Sequence, residues 1–384
     1  MKKVGICACY NTFNYGSMLQ SFATQYTINS LGYDGEFIVY KKKKDLDCII
    51  KCLSKLSDKT FINDKFQKLQ KKIALQFHAE AKRNNNIRNS AFVRFQKKYY
   101  EKFSEEFYGF DALKIGAKKY DIVVVGSDQL WLPAGLSTNF YNLMFVPDNI
   151  KKISYATSFG VSEIPRQQFS KTKEYLLRID NISVREKAGA EIVELVSGKK
   201  AEVVADPTLL LTREEWDKLI PDKNIVKEPY VFCYFLGKNP LHRQIADVFS
   251  NENNLPVVCT PFLDSYVKCD EDFGDIRLFD VGPDDFVNLI RHAKYVLTDS
   301  FHGSVFSIIY HKQFVTFDRY VNGNNNSRNS RIDNLFEVLD INERRYKGNI
   351  SSTAMNTINY NKVDEKVSLL RLESLDFLNK AMQN

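Results

Sequence analysis

The chain has no run approaching the roughly 20 uncharged apolar residues that a membrane-spanning helix requires. Its opening, MKKVGICACYNTF, lacks the longer apolar stretch and small-residue cleavage site of a secretory leader and runs directly into a strand pattern. Cysteine is sparse. The seven present (Cys7, Cys9, Cys48, Cys52, Cys233, Cys259, Cys269) are odd in number and scattered, unlike the dense, even sets of small disulfide scaffolds, so reduced thiols and a cytoplasmic location are expected. Cys7 and Cys9 fall on one face of a strand with no matching Cys or His pair beside them, which favours a buried role over a zinc site. Repeats and low-complexity blocks are missing too, apart from the polar VNGNNNSRNSR (321–331), which reads as a mobile loop.

Charge of one sign is not in general excess, but it is unevenly placed. Residues 41–100 carry 17 Lys/Arg against 5 Asp/Glu, more than the whole chain's net +7, so the remainder is net acidic. A nucleic-acid binder with a basic body is thereby excluded, and the positive charge belongs to one segment. That segment is either a solvated surface or a patch that docks on an anionic membrane, since its Lys/Arg alternate with apolar positions at helical spacing.

With 384 residues and 44% hydrophobic content, the chain is long enough for two domains. KVGICAC reads as a buried strand, NTFNYGS as a polar loop, SMLQSFATQYTINSLG as a helix stopped at Gly32, and EFIVY as a second strand. This β-loop-α-β opening implies a parallel, Rossmann-like sheet through the right-handed crossover rule. A basic helical insertion is expected over 41–118. YDIVVVGSD, KISYATSFG, NISVRE and AEVVADPT then resume the sheet, each apolar strand ending in a polar loop. PDKNIVKEP (221–229) marks a boundary before YVFCYFLG, LPVVCT, YVLTD and QFVTF, which alternate with helices. The expected organisation is an N-terminal Rossmann-like domain over 1–220, a C-terminal one over 221–350, and a helical tail over 351–384 that packs back.

Ligands of open parallel sheets bind beyond the carboxyl ends of the strands. Four strand-end loops have unusual polar content: one holding Asn14, Gly16 and Ser17; one running Gly126, Ser127, Asp128, Gln129, Leu130, Trp131; one holding Arg185 and Glu186; and one running Asp299, Ser300, Phe301, His302, Gly303, Ser304. In the last, Asp299 and Ser300 are positioned to cap a helix beginning near His302, whose free N–H groups and dipole suit a phosphate. His302 in that first turn is the candidate proton donor, against the alternative that it only caps or packs. Arg185 offers a two-bond grip on a carboxylate or phosphate, or else an internal pair with Glu186 or Asp206. Gly126 permits close backbone approach, Asp128 offers a carboxylate, and Trp131 is either a flat face for a sugar ring or a core residue. Arg319 is a further cation at a strand end, and Arg328 and Arg331 fall near the cleft. Only Gly16 is present where a dinucleotide fingerprint needs three glycines, which disfavours NAD or FAD.

Taken in order, NYGSMLQSFA, GSDQLW, YATSFG, SVREKAG, ADPTLLLT and TDSFHGSVFSIIYHKQFVTFDR resemble the polysaccharide pyruvyl transferase family. The likeness is spread over residues 4–20, 120–215 and 230–320, and the basic segment 41–118 has no counterpart in it. The resemblance implies an α/β protein of two Rossmann-like domains with parallel sheets facing a cleft, similar to GT-B glycosyltransferases. It implies transfer of a pyruvyl group from phosphoenolpyruvate to two hydroxyls of a sugar or lipid-linked oligosaccharide, giving a cyclic ketal. By motif, His302 resembles the family's general acid, Arg185 its donor-binding arginine, and Arg319 a position often held by lysine. Asp128 is the candidate for orienting or deprotonating the acceptor. No metal or resident cofactor is required on this reading, with phosphoenolpyruvate as co-substrate. A nucleotide-sugar glycosyltransferase of the same architecture is the alternative, and a non-catalytic sugar-binding protein is a third.

Overall fold

The computed structural model describes residues 1–43, 79–133, 139–264, 267–319 and 330–383. Cys48, Cys52, Arg328, most of the basic segment and most of the polar stretch 321–331 lie outside the described residues. Seven strands form the first sheet: β1 (Lys3–Cys7), β2 (Asp34–Lys41), β3 (Phe103–Tyr108), β4 (Ile122–Val125), β5 (Lys151–Thr157), β6 (Asn181–Val184) and β7 (Glu202–Val203). They are parallel throughout, in the order β3-β2-β1-β4-β5-β6-β7. The second sheet holds β8 (Val231–Tyr234), β9 (Val257–Cys259), β10 (Ile276–Arg277), β11 (Tyr295–Thr298) and β12 (Gln313–Thr316), also parallel, in the order β10-β9-β8-β11-β12.

The sequence explains why the central strands sit where they do. A run such as IVVV in β4 is β-branched at every position and buried at every position, which suits a strand covered on both faces. Val123 and Val125 join a core with Cys7, Ile38 and Trp131, while Ile122 and Val124 join the opposite core with Val4 and Ile6. Buried Cys7 therefore works as a small apolar side chain, as expected, and burial pushes its thiol up.

One expectation is corrected at β3. The stretch 41–118 is not helical throughout, because FSEEFY pairs in parallel with β2 at the sheet edge. Only Ser104 and Phe107 of this strand are buried, so its glutamates point to solvent and no apolar run betrays it. The Ala79–Tyr99 helix before it fits the basic-helix reading, but its buried stripe of Ala91, Phe92 and Phe95 faces the protein. Membrane docking through the apolar side of this helix is therefore excluded, and residues 44–78 lie outside the described set.

The same helix ties the two sheets' layers together. Arg88 pairs with Asp264 at 2.9 Å, Arg94 pairs with Asp280, and the Tyr99 hydroxyl donates to Asp284 at 3.2 Å. Tyr15, on the first helix (Tyr15–Ser30), stacks between Phe92 and Phe286, with ring centroids 4.9 and 4.7 Å away. The Tyr360–Gln383 helix runs back over the first sheet, where Ala205 N–H donates to Ser374 Oγ and Arg371 donates to the Leu209 carbonyl. Among the described residues, no helix is long and apolar enough to cross a membrane.

Candidate functional site

Strand order decides where the site forms. In the first sheet, connections diverge on either side of the β1/β4 pair, and in the second on either side of β8/β11. Loops leaving the carboxyl ends of such pairs part and open a crevice. Residues of the loops after β1, β6 and β7 meet those after β11 across one cleft, Gly16 and Asp206 at His302 and Arg185 at Phe301, which brings residues far apart in sequence into contact.

His302 is held from both sides of it. Ser300 caps the Phe301–Ile309 helix, its hydroxyl accepting from Gly303 N–H at 3.3 Å, so the imidazole emerges from the first turn, where backbone amides lack intrahelical partners. Across the cleft the ring rests on Gly16, where a Cβ would lie 1.9 Å from Nδ1. Only glycine fits. The other ring nitrogen, Nε2, stands 3.6 Å from Asp206 Oδ2 and is buried without a hydrogen-bond partner.

Asp206 organises this region. Its Oδ1 caps the short Pro207–Leu209 turn by accepting from Thr208 N–H and Oγ1, while Oδ2 accepts from Ser127 Oγ at 2.9 Å and Arg185 Nη1 at 2.7 Å. Burial alone would raise its pKa, but His302, Arg185 and Thr208 together hold the carboxyl well below the usual carboxylate range.

Arg185 is 4% exposed and spends only one edge of its guanidinium on Asp206. Its Nε and Nη2 are buried with no hydrogen-bond partner. Glu186 Oε2 lies 4.0 Å from that Nε, too far to bond, while Oε1 is occupied by Ser158 Oγ at 2.7 Å. Burial opposes the arginine's charge, yet Asp206, Glu186 and Asp128 keep it firmly cationic. The guanidinium lies 4.5 Å from the Phe301 ring centre. Each buried unbonded donor costs about 1–3 kcal/mol, and a Nε/Nη2 edge left open has the geometry to take two oxygens of an anion.

A family model described as polysaccharide pyruvyl transferase matches residues 14–319, which span the loops of this cleft from Asn14 to Arg319. This chain belongs to the polysaccharide pyruvyl transferase family. Among curated proteins no sequence matches. Solved structures similar to it include the UDP-GlcNAc 2-epimerase of Methanocaldococcus jannaschii, 11% identical with TM-score 0.50 over 96% of this chain and 92% of that one. A variant of S. aureus TarM in complex with Fondaparinux, alpha-GlcNAc-glycerol and UDP is 11% identical, with TM-score 0.50 over 100% of both chains. These likenesses concern the fold. The family member is an α/β protein of GT-B type, as the sequence suggested.

The structure places the remaining expected residues as follows. Asn14 caps the first helix through Ser17 N–H, and Ser17 Oγ donates to Asp128 Oδ2 at 2.6 Å. Asp128 adopts φ 83°, a left-handed conformation that few non-glycine residues hold without local support, here from Ser17 and the Gln129 amide. Burial would raise its pKa, but Arg185, His302 and Ser17 bring it below the usual range. Gln129 Nε2 is buried, unbonded and close to Gly160. Arg319 donates to the Asp299 carbonyl and lies 3.5 Å from the Asp299 carboxylate, which itself accepts from Leu236 and Gly237 N–H. Asp299 therefore fastens the loop after β8, and capping of the His302 helix falls to Ser300 alone.

Two expectations fail. Trp131 is fully buried among Phe159 and Tyr175, with its indole N–H on the Tyr141 carbonyl, so it is a core residue and no sugar ring reaches it. Ser304 is turned inward, its hydroxyl on the Ser300 carbonyl and Thr316. Gly126 has room for a Cβ, the nearest atom being 3.6 Å away, so protein packing alone does not require glycine there. Asp206 takes the internal pair with Arg185 that the sequence offers, whereas Glu186 stays 4.0 Å away, and the approach of Asp206 to His302 follows from no local pattern.

Proposed function

We propose that the protein transfers a pyruvyl group from phosphoenolpyruvate to two hydroxyls of a sugar, in a surface polysaccharide or its lipid-linked precursor, forming a cyclic ketal and releasing phosphate. The observation that carries this reading is the open Nε/Nη2 edge of Arg185 beside His302 and a helix N-terminus. Phosphoenolpyruvate bears a carboxylate, which a guanidinium edge grips with two bonds, and a phosphate, which a helix N-terminus attracts. As a metabolite of the cytoplasm, this donor puts the reaction there.

On this reading His302 gives its proton to the methylene carbon of the enol, and C2 becomes electrophilic. One sugar hydroxyl adds to C2 and loses its proton; the C2–O bond to phosphate breaks, the oxygen keeping the electron pair. The second hydroxyl closes the ring and loses its proton. Of the two protons released, one recharges His302 and one leaves with phosphate. Asp206 sets a fixed negative charge beside the ring while Gly16 sets its angle. Asp128, with its lowered pKa, is a weak base at neutral pH, so its role is to orient the acceptor through its hydrogen bonds.

The glycosyltransferase alternative shares the architecture, and fold alone does not separate donors. Incubation with carbon-13-labelled phosphoenolpyruvate and galactose- or N-acetylhexosamine-containing acceptors, followed by carbon NMR, tests the proposal. A ketal carbon in the product supports it; a glycosidic product formed only from a nucleotide-sugar would replace it with the alternative.

A further inference from the structure

We infer that Arg331 is the second arginine of the anion site and joins Arg185 in holding the carboxylate end of a small, multiply charged donor. The inference rests on the pyruvyl-transfer reading for the identity of the donor, but the two-arginine arrangement stands on its own observations. Arg331 opens the Ser330–Leu339 helix. Its Nε is buried without a hydrogen-bond partner. Its guanidinium carbon lies 5.9 Å from the Phe301 ring centre, the same ring against which Arg185 rests at 4.5 Å.

Two guanidinium groups sharing one aromatic ring repel each other unless an anion stands between them. Burial and the neighbouring Arg185 weaken the charge of Arg331, pushing its pKa down to about 9, and Asp128 and Glu186 offset this only in part. Asp206 is already fully bonded, to Arg185, Ser127 and Thr208, and Glu186 Oε1 is taken by Ser158, which leaves Glu186 Oε2, itself unbonded and 4.0 Å from Arg185 Nε, as the nearest free acceptor. Open donors on Arg185 and Arg331 together outnumber the free acceptor atoms near them. A carboxylate brings two such acceptors and a negative charge. The remaining cation, Arg319, is anchored on Asp299, and the Phe301–Ile309 helix start with His302 is left for the phosphate.

The test measures binding of phosphoenolpyruvate, inorganic phosphate and a UDP-hexose to the full chain by calorimetry, with thermal melting of each variant alone. Arg331→Gln is expected to weaken phosphoenolpyruvate by on the order of tenfold to a hundredfold, the scale of one charged hydrogen bond, while inorganic phosphate changes far less. Arg331→Lys should recover part of the loss. Without ligand, Arg331→Gln should melt at or above the wild type, because a cation that burial and Arg185 oppose, and that Asp128 and Glu186 only partly offset, has gone; a structural residue would instead melt lower. Unchanged phosphoenolpyruvate affinity in both variants would overturn the inference and leave the proposed function intact. Arg331-dependent binding of the UDP-hexose alone would sink the pyruvyl donor and keep the arginine pair. If the wild type binds none of the three, both fall.

Discussion

Gly16 and His302 touch across the cleft, one from the first helix of the N-terminal sheet's layer and the other from the first turn of a helix in the C-terminal one, with no room for even a methyl group between them. The imidazole is thus positioned by the absence of a side chain 286 residues away by count along the chain. Gly16→Ala should displace the ring and lower turnover by about a hundredfold or more, the cost of roughly an ångström of misplacement. Global stability should hold, because alanine is the better helix former. Steady-state kinetics beside a thermal melt separates the two effects, and full activity in this variant would show that His302 does not need its observed position.

Asp206→Asn removes the charge opposite Arg185 and should destabilise the fold by about 3 kcal/mol at neutral pH, as expected for breaking a buried pair from one side. The sign with pH follows from the lowered carboxyl. Its stabilisation is fully present above the ordinary carboxylate range, near pH 4, and fades as pH falls toward the folded value, which lies lower. Denaturant titrations of wild type and variant should therefore converge in acid, and a gap that stays constant from neutral pH into acid would contradict the assignment.

Arg185→Lys keeps a positive charge but loses the open two-donor edge. The Michaelis constant for phosphoenolpyruvate should rise by roughly tenfold or more, with a smaller change for the acceptor. Equal changes for both substrates would argue that Arg185 only braces Asp206.

Trp131→Ala should cost about 3–5 kcal/mol of stability, as for deletion of a large core aromatic, whereas Trp131→Phe should leave the acceptor's Michaelis constant unchanged. A marked acceptor defect in the phenylalanine variant would restore the sugar-stacking role that the buried position denies.

Much of this was legible in the sequence because the chemistry lies at strand ends. An apolar run that stops at a polar loop announces both the strand and the place where a ligand can lie, which is how Arg185, Asp128 and His302 stood out. Asp206 is legible as a possible partner of Arg185 and as a local cap from Asp-Pro, but that one carboxylate does both while approaching His302 depends on β6 and β7 lying side by side and on the cleft. Trp131 misled because a tryptophan after a strand looks the same in sequence whether it faces the cleft or the core, and only packing against Phe159 and Tyr175 decides. The edge strand β3 escaped notice because one solvated face with two glutamates erases the apolar signal. The contact between Gly16 and His302 joins two sheets and follows from no local pattern.

The central claim is that His302 delivers the proton that starts pyruvyl transfer. Phosphate release from phosphoenolpyruvate should be measured with wild type and His302→Ala, across the same panel of sugar acceptors. The account predicts acceptor-dependent release in the wild type and its loss in the variant, with binding of phosphoenolpyruvate largely retained through Arg185. Release that continues undiminished in His302→Ala would contradict it.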